Sequence, residues 1–266
     1  MKILGANVVA LLCAASYAHA EEYSKSYTVS GSPEVHVHVD DSSVRVVTAN
    51  SQNVEFNVKR SGSAALALGG GVKIESHQDG DRVELTVVHK PSFVIGFSGK
   101  RLETEVRMPR QGHLEIESVD GAIVVDGLKG EVRLHSTDGS VTVTHFDGSC
   151  DISSTDGSLR VDGRFDALNL KTTDGSVVAR IAAGSKMNSA WTIHSVDGSL
   201  DVSLPLNFQA NIHASTMDGS IKLALPVTVQ GDVSKSTVRG TLNGGGHELT
   251  LDTHDGSIKL AGNGEV

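Results

Sequence analysis

One phrase constrains this 266-residue chain more than any other: an apolar residue, a spacer, Ser or Thr, any residue, then Asp-Gly. It occurs at Asp120-Gly121, Asp138-Gly139, Asp156-Gly157, Asp174-Gly175, Asp197-Gly198, Asp218-Gly219 and Asp255-Gly256, with steps of 18, 18, 18, 23, 21 and 37 residues. A recurrence of this size marks a repeat architecture. Two residues before each Asp stands Ser118, Ser136, Ser154, Thr172, Ser195, Thr216 or Thr253. Four before it stands Ile116, Leu134, Ile152, Leu170, Ile193, Ala214 or Leu251, and two after each Gly comes another apolar residue, from Ile123 to Ile258. Both flanks alternate with period two, so each repeat reads as strand, tight turn, strand.

A unit of about 18 residues is too short for strand-helix-strand and long enough for two or three short strands. A stack of antiparallel hairpins and a parallel β-solenoid (β-helix) both fit. The recurrence of matching residues in register favours the solenoid, because coils stacked about 4.8 Å apart set Ser/Thr on Ser/Thr and apolar on apolar. Right-handed winding follows the general chirality of parallel crossovers. A second turn in each coil carries Gly130, Gly148 and Gly163, with Leu128, Phe146 and Phe165 as core-fillers. The longer fourth step fits extra residues from Ala182 to Ala190. The last interval predicts one degenerate coil and then a final one, about eight coils in all, with His194 and His213 in adjacent coils.

Ahead of the repeats, Val35-His36-Val37-His38-Val39, Val44 to Thr48, Val54 to Val58, Val72 to Ser76, Arg82 to Val87 and Leu102 to Met108 alternate as strands. His77 to Asp81 reads as a hairpin turn, Gly69 to Gly71 as a loop or close backbone approach, and Lys90 to Lys100 as a loop with exposed Phe93 and Phe97. No long stripe of period 3.6 is present, which leaves an all-β chain. The domain boundaries read from these signals are 1–20, 21–110 as N-terminal strands and opening layers, and 111–266 as the continuous repeat solenoid. Residues 1–20, with Lys2, an apolar run from Ile3 to Ala18 and Ala18-His19-Ala20 before Glu21, read as a cleaved secretory signal peptide. The expectation is therefore an exported, periplasmic or extracellular protein with no transmembrane segment after cleavage. Only Cys150 then remains, so no intramolecular disulfide is expected, and its place in the apolar row makes it a core residue.

The formal charge of −9 becomes −10 without Lys2, and there is no basic cluster. Nucleic-acid binding is thereby disfavoured. The Val-rich early strands, the Val106-Arg107-Met108-Pro109 step, the serial Ser/Thr-x-Asp-Gly-Ser-apolar phrases, the Leu204-Pro205 and Leu225-Pro226 breaks and the glycine-rich Thr241 to Gly246 together resemble the bacterial candidate-adhesin, LiaG-like β-strand-repeat family, a domain of unknown function. The resemblance implies an exported β-solenoid with an envelope or adhesive role, and it brings no catalytic residues.

Stacked Asp carboxylates, such as Asp138, Asp156 and Asp174, are the kind of oxygen row calcium uses. The simpler reading is turn chemistry, with Asp capping the backbone and Gly tolerating positive φ; the nonapeptide of calcium-binding β-rolls is absent. On the φ argument Gly157→Val should break the solenoid. Seven equivalent hydroxyls argue for a structural ladder over a nucleophile, which needs one base at one place. His36 and His38 share a strand face about 6.6 Å apart and could seed a metal site, whereas His135 and His194 lie three coils apart. The outward Glu115, Glu117, Arg133, Asp151, Arg160, Asp201 and Asp252 form no evident acid pair. The expectation is a non-catalytic adhesive or structural module without cofactor, its partner an envelope protein or glycan; the alternatives are a polysaccharide-acting β-helix enzyme and a calcium-dependent surface protein.

Overall fold

The computed structural model describes residues 22–61, 67–68, 71–89, 93–94, 101–229 and 234–263. The signal-peptide expectation, Gly69, Gly70 and most of the loop from Lys90 to Lys100 lie outside them. Among the described residues there is no helix, and nearly all strands join one 21-stranded, mostly parallel sheet. Each coil adds two strands joined at the Asp-Gly turn. One ladder runs Leu114↔Val132↔Cys150↔Leu168 and the other Ile123↔Val141↔Leu159↔Val177. Every second residue on each strand turns inward, which is why the period-two pattern lies buried: Leu114, Ile116, Val132, Ile152 and Ile193 are all fully enclosed. At the second turn Phe146, Phe165, Trp191 and Phe208 form a ladder with ring centroids 5.7, 6.4 and 5.4 Å apart. Such pairs add about 0.5–1.5 kcal/mol each beyond their buried area. Burial, then the nearby Asp151 charge, pushes the Cys150 thiol well above its ordinary range, which makes it inert packing.

The coils do not stack in chain order at either end. Glu34–Asp41 and Ser43–Ala49 are inserted between the Asp120 coil on one side and Arg82–His89 and Arg101–Pro109 on the other. Likewise Glu248–Thr253 and Ile258–Asn263, the Asp255 coil, lie between the Asp197 coil and the Asp218 coil. The expectation of one degenerate coil and then a final one is therefore wrong, since the intervening strands pair antiparallel, and so is the adjacency of His194 and His213: His194 faces Asp252, and His213 faces Thr250.

The physical reason lies in the edges. A parallel coil left outermost would expose a row of unpaired N–H and C=O groups. Here the terminal coil is paired on both sides, and antiparallel strands cover the outermost strand of the first ladder at one end of the stack and of both ladders at the other. Thr237–Leu242 covers Ala210–Thr216 and is itself paired by Val227–Val229. At the other end Val72–Asp79 covers Arg82–His89 through a turn at Gly80, and Asn53–Ser61 covers Arg101–Pro109. Glu22–Thr28 then pairs with Asn53–Ser61, and Tyr23 and Tyr27 hydrogen-bond Ser76.

Candidate functional site

The Asp-Gly turns form one edge of the molecule. Their glycines stack in the order Gly121, Gly139, Gly157, Gly175, Gly198, Gly256, Gly219, and a Cβ on any of the last six would fall on the carbonyl oxygen of a neighbouring glycine in the stack, far inside van der Waals contact. Gly157 does not have positive φ, so the expected reason for its need is corrected: close approach of the neighbouring coil, not dihedral freedom, excludes a side chain there. The seven Ser/Thr residues are all buried. Four hydroxyls donate to the carbonyl of the adjacent coil's glycine: Thr172 to Gly157 at 3.0 Å, Ser195 to Gly175 at 2.9 Å, Thr253 to Gly198 at 2.8 Å and Thr216 to Gly256 at 2.8 Å. Ser118, Ser136 and Ser154 have buried hydroxyl oxygens with no partner. A hydroxyl that caps a carbonyl has its proton committed and is a poor nucleophile. Along the same edge the Asp156 carboxyl is held above the ordinary carboxylate range, first by burial and then by the charges of Asp138 and Asp174 on either side.

The chemistry-bearing side chains collect on the outward face of the first ladder. Seven of the chain's 12 histidines, His36, His38, His77, His113, His135, His194 and His213, stand there at register positions dictated by strand alternation. His36 presents Nε2 to Glu34 at 2.6 Å and Nδ1 to Glu115 at 3.2 Å. His38 presents Nδ1 to Glu117 at 3.1 Å and Nε2 to Asp40 at 3.8 Å. Each ring thus lies between two carboxylates. The hydrogen bond with His36 draws the Glu34 carboxyl below the ordinary range against a smaller opposing effect of burial, with the charges of His36, Arg82 and His113 adding to it. A groove of about 200 Å³ lies over these strands, lined by His36, His38, Glu84, Thr86, Glu115 and Glu117.

Sequence spacing does not single out His113, yet its ring stacks on His36 at 6.4 Å and its Nδ1 meets Glu131 at 3.2 Å. His194 pairs with Asp252 at 3.0 Å, an acid contributed by the inserted coil. The ring nitrogens of His36 and His38 diverge toward different acids. Among the described residues no group of three or more His, Cys, Asp or Glu converges to hold a metal ion. Of the predicted outward residues, Glu115, Arg133 and Asp151 share one cross-strand row with His36, and Glu117 and His135 share the next with His38. Arg160 and Asp201 stand on the second ladder, flanking Val178 in register.

These features define the class: an all-β, mostly parallel, β-solenoid-like repeat protein with charged residues in cross-strand rows. A Toastrack DUF4097 family model matches residues 33–178 and again 165–261, and the chain belongs to that family. Similar solved structures include a candidate adhesin from Bacteroides fragilis NCTC 9343, 10% identical, covering 91% of this chain and 97% of that one with a TM-score of 0.52. Others are a candidate adhesin from Parabacteroides merdae ATCC 43184 (14% identical, 90% and 96% covered, TM-score 0.47) and a candidate cell adhesion protein from Clostridium sporogenes ATCC 15579 (14% identical, 92% and 100% covered, TM-score 0.41). The first of these shares the fold. A comparison with curated proteins finds no match. Among the described residues no helix is long and apolar enough to cross a membrane.

Proposed function

We propose that this protein is an exported, non-catalytic β-solenoid of the bacterial cell envelope that works as an adhesive or structural interaction module. The leader-like residues 1–20 support export to the periplasm or cell surface, and the family and its adhesin-described neighbour support the adhesive role. The coils of about 18 residues wind right-handed. The observation that carries the reading is the outward face of the first ladder. Its acids, bases and imidazoles are spread in rows over strands from Val72–Asp79 to Ala210–Thr216, and they pair with one another across strands. A long face of this kind suits extended contact with an envelope protein or glycan. The Asp-Gly and Ser/Thr rows serve as the turn ladder that holds the face flat.

The test is capture by the immobilised chain from solubilised envelope fractions and from a glycan panel. Retention of a defined component is expected, with no new reducing ends on polysaccharides and no change in Tm on adding millimolar calcium. Polysaccharide cleavage would replace this reading with the enzyme, and a calcium-induced rise in Tm would replace it with the calcium-dependent surface protein.

A further inference from the structure

The three places where the repeat is most irregular at its second turn are far apart in sequence and meet in space. They are the additional residues around Gly184 to Met187, the Pro205 to Gln209 turn, and the Asn243 to His247 turn, where Asn243, Gly244 and Gly245 have φ of 49°, 90° and 83°. Insertion of the Asp255 coil beside the Asp197 and Asp218 coils brings the third against the second. Asn243 Nδ2 donates to the carbonyls of Leu206 at 2.7 Å and Phe208 at 2.8 Å, and Asn211 Nδ2 donates to the Gly246 carbonyl at 2.6 Å. Between the three turns lies a pocket of about 410 Å³, within the size range of small-molecule sites.

Its lining is chemically unlike the rest of this acidic protein. Lys186 and His247 border it, Asn207 and Gln209 supply amides, Met187 and Pro205 supply apolar surface, and no Asp or Glu is present. Lys186 lies near enough to Asp166 for its charge to help hold that carboxyl below the ordinary range, but the main cause is Arg164, which holds Asp166 through hydrogen bonds of 2.7 and 2.8 Å. Among the described residues Lys186 makes no ion pair, and the side chains of Asn207, Gln209 and His247 make no hydrogen bond to the protein. A pre-shaped pocket with an exposed lysine outside any ion pair, amides without hydrogen bonds and a small apolar wall matches a compact ligand that is anionic at one end, rich in hydroxyls and apolar on one ring face.

We propose that this corner is a binding site for an acidic sugar unit, its carboxylate directed to Lys186 and His247, its hydroxyls to Asn207 and Gln209, and its ring face to Met187. The proposal rests on the adhesive reading and names the glycan class. It is tested by titrating the full mature chain, followed by NMR, with glucuronate, glucose and inorganic phosphate. Saturable glucuronate binding at least tenfold tighter than either control is expected. Lys186→Gln and Gln209→Ala should each weaken it about tenfold with unchanged Tm, because both side chains are exposed. Equal binding of phosphate and glucuronate would reduce the site to a simple anion site and overturn the proposal, as would glucuronate binding indifferent to both substitutions. If Lys186→Gln retains full capture of envelope components while glucuronate fails to bind, the pocket is refuted and the adhesive reading stands. If glucuronate binds but no envelope component is captured, the reverse holds.

Discussion

The turns of the Asp120 and Asp138 coils and those of the Asp174, Asp197, Asp218 and Asp255 coils share one phrase and close in two ways. In the first pair the glycine has positive φ, 127° at Gly121 and 152° at Gly139, and its N–H donates forward, to Asp138 O at 3.0 Å and Asp156 O at 3.2 Å. The serine hydroxyls beside these turns have no partner. In the second group the glycine φ is not positive and the Asp N–H donates backward, as from Asp174 to Thr155 O and from Asp197 to Thr173 O, both at 2.8 Å. The buried hydroxyl then caps the neighbouring glycine carbonyl. The constant demand of the phrase is thus a residue without a side chain at the contact between coils. The dihedral and the hydrogen bonds are what the local stack selects.

The largest effect expected from testing this comparison is at Gly157, the first glycine of the stack without positive φ. Gly157→Val should lose more than about 4 kcal/mol, in the exceptional class of single substitutions, and lower Tm by roughly 10 °C or more. A thermal melt within a degree of the parent would refute the close-approach account. Next, the hydroxyls should part company. Thr172→Val removes a donor to Gly157 O and should cost about 1 kcal/mol, whereas Ser136→Ala removes an unpartnered buried hydroxyl and should be neutral or slightly stabilising. Chemical denaturation of the two variants gives the difference directly, and equal losses would erase the distinction between the halves.

A smaller, pH-dependent effect is expected at the register shift between Val143 and Phe146. There His145, with φ of 50°, hydrogen-bonds Asp126 at 2.7 Å. The bond raises the imidazole and lowers the carboxyl relative to their ordinary values. A raised base contributes stability that is complete below its unfolded value and lost as pH rises through the folded one. A lowered acid contributes stability that is complete above its unfolded value and lost as pH falls through the folded one. The Tm deficit of His145→Asn, which tolerates the left-handed backbone, should therefore be greatest between about pH 4 and 6.5 and shrink on both sides; a deficit independent of pH would show a purely steric role.

The smallest effect concerns Asp156. Its raised carboxyl makes ionisation a native-state penalty that grows as pH rises through the folded value. Asp156→Asn should accordingly raise Tm slightly at pH 7 and leave it unchanged near pH 3. A lower Tm at pH 7 would mean that the carboxylate has a stabilising partner.

Much of the repeat is legible in the order of the amino acids alone. The strand-turn-strand unit, the parallel pairing, the inward row from Ser118 to Thr253 and the burial of Cys150 all follow from period-two alternation and matched positions. The Gly157 requirement is legible as a fact but not in its cause, because a sequence shows a small residue and not the carbonyl above it. The candidate sites are legible only in fragments. His36 and His38 stand out by spacing, but Glu34, His113 and Glu117 matter through cross-strand register. The corner pocket gives no signal beyond three breaks in the period.

The sequence by itself determined the class of structure, since local alternation and turn chemistry act within a few residues. It also determined which residue types line each row. Only the tertiary structure decided the order of the coils, because covering exposed edges is a demand of the whole stack that no local pattern encodes. That order sets His194 opposite Asp252 and closes the pocket between Lys186, Gln209 and His247.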